Sequence, residues 1–193
     1  MSPVAPATMP AVGQKRSLGK RAMNYERSYI EKFLDRFVRP KHPEYVEPLL
    51  QAFDAVKSPA ALPDKSYQGL LSAASDKSAH VYQIATEFLG EFGVQNELAL
   101  NEIRRMSESP LAHVRHNAIL CLSDKTPRSE SVEIICKKLR DRSSRVRTKA
   151  ADWAVRLSLR QVAPNIEQAI RTEKNSAALA TMSHALDRLK VLS

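Results

Sequence analysis

The segment DRSSRVRTKAADWAVRL, residues 141–157, repeats a pattern that occurs twice earlier in the chain. The earlier copies are DKSAHVYQIATEFL at residues 76–89 and SPLAHVRHNAILCL at residues 109–122. Three apolar columns recur in steps of 33 and 32 residues: Val81, Val114 and Val146; Ala85, Ala118 and Ala150; Phe88, Cys121 and Trp153. A period between 20 and 50 residues is typical of stacked units that bury their apolar faces against their neighbours. The sequence therefore predicts an array of repeated units.

A weaker fourth copy follows the third, because a further step of 32 residues again reaches apolar positions. These positions are Ala178, Met182, Ala185 and Leu189. We predict helix pairs throughout, with first helices near 63–74, 95–107, 129–140 and 162–172. The second helices are expected near 78–92, 110–123, 143–158 and 175–191. No segment alternates apolar and polar residues between turn signals as a strand would, so the predicted fold is all-α.

The chain before residue 62 does not follow the period. A helix is expected over residues 24–38, ended by Pro40, and a second helix starts within residues 43–48. A helix pair that departs from the period is expected for a capping hairpin at the end of a repeat array. We therefore divide the chain into a flexible basic tail at 1–22, a capping hairpin at 23–61 and a repeat array at 62–193, the last two forming one continuous domain.

Residues 62–191 resemble the HEAT repeat, and the third copy carries the resemblance best. A HEAT-like unit has an acid in the turn, then Val-Arg, then a small residue, and here Asp141, Val146, Arg147 and Ala150 fit in register. The other copies depart from this pattern at single positions. The second copy has Ser109 in place of the acid, and the first and fourth copies have Tyr82 and Leu179 in place of the Arg. The fourth copy keeps the acid as Glu173. The resemblance implies a short right-handed α-solenoid that serves as a binding surface.

The motif also predicts a structural role for Arg147. Asp141 stands six residues earlier in the turn, and we expect its carboxylate to pair with the Arg147 guanidinium. Val146 and Ala150 are expected to pack in the core beside this pair.

Composition indicates a soluble protein of one domain. The 193 residues are 43% hydrophobic and 26% charged, and no apolar run approaches the roughly 20 residues that a bilayer span requires. The N-terminal residues contain no continuous apolar segment ahead of a cleavage site. Cys121 and Cys136 fall on predicted apolar stripes, which favours reduced thiols and a cytoplasmic location.

The familiar signatures of catalysis and nucleotide binding are missing from the sequence. Five glycines leave little scope for a phosphate-cradling loop, so we expect neither an enzyme nor a cofactor. His113 and His116 stand at i and i+3, but His113 shares its column with His80 and no cysteine lies nearby, so no metal is expected. Trp153 beside Asp152 suggests base contact in a repeat-fold glycosylase, yet its column favours core packing.

Charge is the most suggestive functional signal. The net charge of +9 divides into +5 over residues 1–40, −4 over 41–100 and +8 over 101–193. The candidate basic face of the C-terminal half consists of Arg115, Lys137, Lys138, Arg142, Arg145, Lys149 and Arg156. Such a cluster attracts nucleic acid or an acidic protein through the same Coulomb interaction, although a solvated helix face has the same composition.

The leading hypothesis is a non-enzymatic module that acts as an adaptor or regulatory surface for another macromolecule, with protein as the expected partner. The alternative is a DNA- or RNA-binding protein that contacts phosphates through the basic face. A base-modifying enzyme built on the same groove is a third and weaker alternative. The sequence leaves the identity of the partner and the oligomeric state open.

Overall fold

A computed structural model of the chain describes residues 26–58 and 61–191. Within those ranges the secondary structure is helical, which confirms the all-α prediction. The ten α-helices in this described part of the chain are α1 Arg27–Phe37, α2 Val46–Lys57, α3 Asp64–Ala74, α4 Ala79–Gln95, α5 Glu97–Ser107, α6 Ala112–Leu120, α7 Arg128–Lys138, α8 Ser144–Arg156, α9 Ala163–Thr172 and α10 Ser176–Val191. The predicted basic tail at 1–22 lies outside the described residues.

The helices pack consecutively along the chain. Helix α3 packs on α4, α5 on α6, α7 on α8, and α9 on α10, so each predicted pair is a unit of contact. The second helix of each pair also packs on the second helix of the next: α4 contacts α6, α6 contacts α8, and α8 contacts α10. Helix α2 joins the same series by packing on α4. We call α2, α4, α6, α8 and α10 the second-helix row.

The repeated apolar columns form the core, as their period predicted. Ala85, Ala118 and Ala150 are completely buried, and the valine column and the fourth-copy residues are buried beside them. One contiguous cluster extends from Ile30 in α1 to Leu189 in α10. Cys121 lies within this core, and both it and the half-buried Cys136 are free thiols.

A close approach at Gly90 sets how α4 packs against α6. Gly90 faces the end of α6, where an added Cβ would collide with the backbone carbonyl of Cys121. Helix α4 then continues through Gly93 to Gln95, three residues beyond its predicted end at residue 92. Asn96 separates it from α5, because its side-chain oxygen accepts the Leu98 N–H at 2.8 Å and caps the new helix.

Candidate binding surface

Trp153 anchors the exposed side of α8 to the core. Its side chain is buried, with 7% of the residue exposed, and its indole N–H donates to the Leu122 carbonyl at 2.9 Å. The predicted core packing of this residue is therefore confirmed. A ring held in this way offers no open face on which a nucleic-acid base could stack.

Two cations cover the Trp153 ring from within the same helix. The Lys149 ammonium lies 5.2 Å from the ring centroid, and the Arg156 guanidinium carbon lies 4.4 Å from it. Arg145 is exposed one turn before Lys149. Because residues four and seven positions apart return to one side of a helix, these three cations share a face. We call Arg145, Lys149 and Arg156 the cation stripe.

The positive charge of the stripe is only weakly neutralised. Asp152 is the acid nearest Lys149, at 3.7 Å, and its side chain is itself 54% exposed. Arg145 and Arg156 make no ion pair with any residue in the described part of the chain. Burial lowers the pKa of Lys149, and repulsion from Arg156 and Arg145 lowers it further, against the opposing effect of Asp152. The stripe is therefore a site where an added anion would be stabilised.

His116 of α6 borders the stripe on the second-helix row. Its imidazole is buried, and its Nδ1 lies 3.2 Å from the Asn117 Oδ1. Burial is the main cause that lowers the pKa of His116 to about 4; the hydrogen bond to the Asn117 Oδ1 opposes this shift, and the nearby charges of Lys149 and Arg145 contribute to it. His116 is thus neutral at physiological pH. No cluster of three or more His, Cys, Asp or Glu side chains suited to a metal occurs among residues 26–58 and 61–191.

Two residues of the predicted basic face lie in the interior, which corrects their assignment to a binding surface. Arg115 is buried and donates to the Asp141 carboxylate and to the Ser109 carbonyl at 2.8 Å. Lys138 is buried and donates to the Ser107 carbonyl at the end of α5. Both side chains are used to join neighbouring helix pairs, so neither is available to a partner.

The remaining predicted cations lie at the surface, but two of them are engaged locally. Lys137 donates to Glu133, one turn earlier in α7, at 2.8 Å. Arg142 is exposed and donates to the Pro110 carbonyl in the preceding turn. Of the seven predicted residues, the structure therefore brings together on one helix only the three of the cation stripe, whose charge is weakly neutralised.

The predicted pairing of Arg147 with the Asp141 carboxylate is wrong. Arg147 donates to the carboxylate of Glu173, with both N–O distances 2.7 Å, and to the backbone carbonyl of Asp141 at 2.6 Å. The Asp141 carboxylate is held instead by Arg115. Burial alone would raise the pKa of Asp141, but the hydrogen bonds from Arg115 and the Ser143 N–H bring it below its usual range. The ion pairs thus connect successive repeats.

Asn117 is a structural residue that the sequence pattern did not reveal. It is almost fully buried in α6, and its side-chain N–H groups donate to the carbonyls of Ala74 at 2.9 Å and Asp76 at 3.0 Å. These acceptors lie at the C-terminal end of α3, whose last carbonyls lack helical partners. In the sequence, this role was indicated only by the position of Asn117 directly before two core residues, Ala118 and Ile119.

A groove of about 430 Å³ opens between the α7–α8 turn and α9. Its lining includes Arg140, Gln168 and the paired Arg147 and Glu173. Arg147 pairs with Glu173 and Arg140 donates to Gln168 at 2.9 Å, so these polar side chains of the groove are engaged with one another. We therefore place the candidate site on the second-helix row and not in this groove.

No protein-family model and no curated protein matches the sequence. Among solved structures, the crystal structure of an engineered protein is similar over 91% of this chain and 88% of its own, at 16% sequence identity and a TM-score of 0.40. A likeness at this level carries no inference about the present chain. None of the helices in the described ranges combines the length and the apolar character of a membrane span.

Proposed function

We propose that this protein is a short HEAT-like α-solenoid that works as a binding module, with the second-helix row as the docking surface for another macromolecule. The repeated columns and the contacts between successive second helices support the repeat architecture. Protein is the expected partner, because such arrays present a long surface built from several helices. The module acts as an adaptor or regulatory surface and not as a catalyst.

The cation stripe is the observation that carries this proposal. Several other cations of the array are paired with acids: Arg104 with Glu130 at 2.7 Å, Lys125 with Glu91 at 2.7 Å, and Arg115 with Asp141. Arg145, Lys149 and Arg156 repel one another on a single helix. Like charges so close together destabilise the free protein, and an anionic partner would reverse that effect.

Affinity capture with matched charge variants tests the proposal. The chain with Arg145, Lys149 and Arg156 changed to Glu is compared with the wild type and with Arg171→Glu/Lys174→Glu, which changes exposed cations off the row. Extracts are treated with nuclease before capture. We expect the wild type and the control to retain the same protein partner at about 0.15 M salt, and the stripe variant to lose it. Identical captured material for all three chains would contradict the proposal.

Nucleic-acid binding is the second candidate, and the same stripe favours it. If phosphates occupy three cations, the slope of log affinity against log salt should be about −3, because each neutralised phosphate contributes about −0.9. An electrophoretic shift titration at two salt concentrations measures this slope. Absence of a shift at low salt would eliminate the candidate.

A further inference from the structure

We infer that the segment recognised by the cation stripe is an amphipathic helix with a matched pattern of charges, mainly acidic but with one basic residue. This inference rests on the proposed function and names the chemistry of the partner. It follows from the order of charges along α8 together with the position of Trp153.

The exposed face of α8 carries a charge sequence and not merely an excess of one sign. Along the helix it reads positive at Arg145, positive at Lys149, negative at Asp152 and positive at Arg156. The intervals are four, three and four residues, which at about 1.5 Å per residue are axial steps of roughly 6, 4.5 and 6 Å. A second helix lying along α8 repeats the same steps, so each charge can meet an opposite one.

Asp152 distinguishes a helical peptide from a nucleic acid as the ligand of the cation stripe. It lies between Lys149 and Arg156, and a phosphodiester strand passing along the stripe would bring a negative charge next to it. A peptide helix can instead place a Lys opposite Asp152 and Glu opposite the three cations. Only a ligand of mixed charge satisfies all four positions, because like charges held together are repulsive.

The surroundings of the stripe also favour carboxylates on a helix. Trp153 is buried and so offers no stacking platform for bases, while Lys149 is held over its ring and partly removed from water. An ion pair formed at such a partly covered ammonium is stronger than one between fully exposed groups. Arg145 and Arg156 present guanidinium forks that suit a carboxylate in two-pronged contact.

Fluorescence anisotropy with designed peptides tests the inference on the full chain. The probe is a labelled amphipathic helix of about 20 residues with Glu opposite Arg145, Lys149 and Arg156 and Lys opposite Asp152, made in the parallel and the antiparallel order. A peptide of the same composition, with those four residues placed around the helix, is the control. We expect one ordered peptide to bind about tenfold more tightly than its control at about 0.15 M salt.

Protein variants complete the test. Asp152→Lys should reverse the preference, so that a peptide with Glu in place of its Lys binds best, and Arg145→Glu/Arg156→Glu should abolish ordered binding while leaving Lys149 on Trp153. Arg171→Glu/Lys174→Glu should bind the peptides as the wild type does, and circular dichroism checks that each variant is folded.

Two outcomes would overturn the inference. Equal affinity for the ordered and the rearranged peptides would show that the protein recognises only the net charge of the peptide. Tighter binding of a DNA duplex than of either ordered peptide, lost in Arg145→Glu/Arg156→Glu, would assign the stripe to phosphate. In both cases capture of a protein partner through the second-helix row remains a separate result, so the two proposals fail independently.

Discussion

The Arg115 guanidinium and the Asp141 carboxylate, 26 residues apart, form a two-pronged ion pair with N–O distances of 2.6 and 2.8 Å. Their side chains are only 6% and 5% exposed. Arg147 and Glu173 repeat the arrangement at the same separation of 26 residues. In each case the Arg belongs to the second helix of one pair and the acid to the turn before the second helix of the next. The ion pairs therefore fix the spacing of successive repeats.

Removing the Arg of either pair should cost stability. Arg147→Ala should lower the free energy of unfolding by about 1.5–3 kcal/mol, because Glu173 keeps the backbone N–H donors of Lys174 and Asn175. Arg115→Ala should cost more, about 3–5 kcal/mol, since Asp141 would then remain buried with only the Ser143 N–H.

Urea denaturation measures both changes. Arg105→Ala, which removes an exposed cation paired within α5, should unfold near the wild-type midpoint. If Arg147→Ala unfolded at the same urea concentration as the wild type but lost partner binding, Arg147 would belong to the binding surface and would not be a structural residue.

The small-residue column makes a second prediction. Ala118→Arg or Ala150→Arg should unfold the neighbouring helix pairs, because both positions are completely buried between helices. Overpacking typically costs about 1–3 kcal/mol, and a buried unpaired charge adds to it. Ala112→Arg, at an exposed position in the first turn of α6, is the control. Full helicity and a cooperative thermal transition in both core variants would disprove the register.

The two glycines within the second half of α4 should respond differently to the same substitution. Gly90→Ala meets the rigid backbone of Cys121, so it should destabilise the protein despite the better helix propensity of alanine. Gly93→Ala meets the Ile103 Cδ1 at 2.8 Å, the end of a side chain that can move aside. We expect a lower melting temperature for Gly90→Ala than for Gly93→Ala. The opposite order would mean that α4 and α6 are farther apart than described.

His116 should make stability depend on pH. Its pKa in the folded state, about 4, lies below the value of about 6.5 in an unfolded chain, so the unfolded state binds more protons between these values. Stability should therefore fall as the pH drops through that window, by about 2 kcal/mol between pH 7 and pH 5 from this group.

His116→Gln should remove that share of the pH dependence, whereas His184→Gln, at an exposed position of α10, should leave it in place. Urea denaturation of each variant at the two pH values of the preceding paragraph measures this pH dependence. A pH dependence that is unchanged in His116→Gln would mean that other groups cause it.

The repeat period made most of the helices predictable. A column such as Ala85, Ala118 and Ala150 fixes the buried face of a helix without information about its neighbours, because burial of one face is what produces the pattern. The first and second helices follow from the same columns. The all-α architecture and the core positions could therefore be obtained from the sequence.

The candidate site was less predictable, because the helical period does not show where a long cationic side chain ends. Arg115 and Lys138 are cations on predicted helices just as Arg145 is. Yet Arg115 reaches the Asp141 carboxylate of the next unit, Lys138 reaches the Ser107 carbonyl of the preceding unit, and both become buried. Nor does the sequence motif place Arg147 against the next repeat. The recurrence of Arg115 and Arg147 with Asp141 and Glu173 at a constant offset of 26 residues was the available signal.

Photo-crosslinking from defined faces of the folded chain tests the central claim most directly. A photoreactive amino acid is placed at Thr148 of α8 or Thr181 of α10 on the second-helix row, and at Leu98 of α5 or Arg171 of α9 on first helices. We expect crosslinks to one protein partner from Thr148 and Thr181 and none from Leu98 and Arg171, with the α8 crosslink lost when Arg145 and Arg156 are changed to Glu. Crosslinks to that partner from the first helices alone would contradict the assignment of the second-helix row as the docking surface.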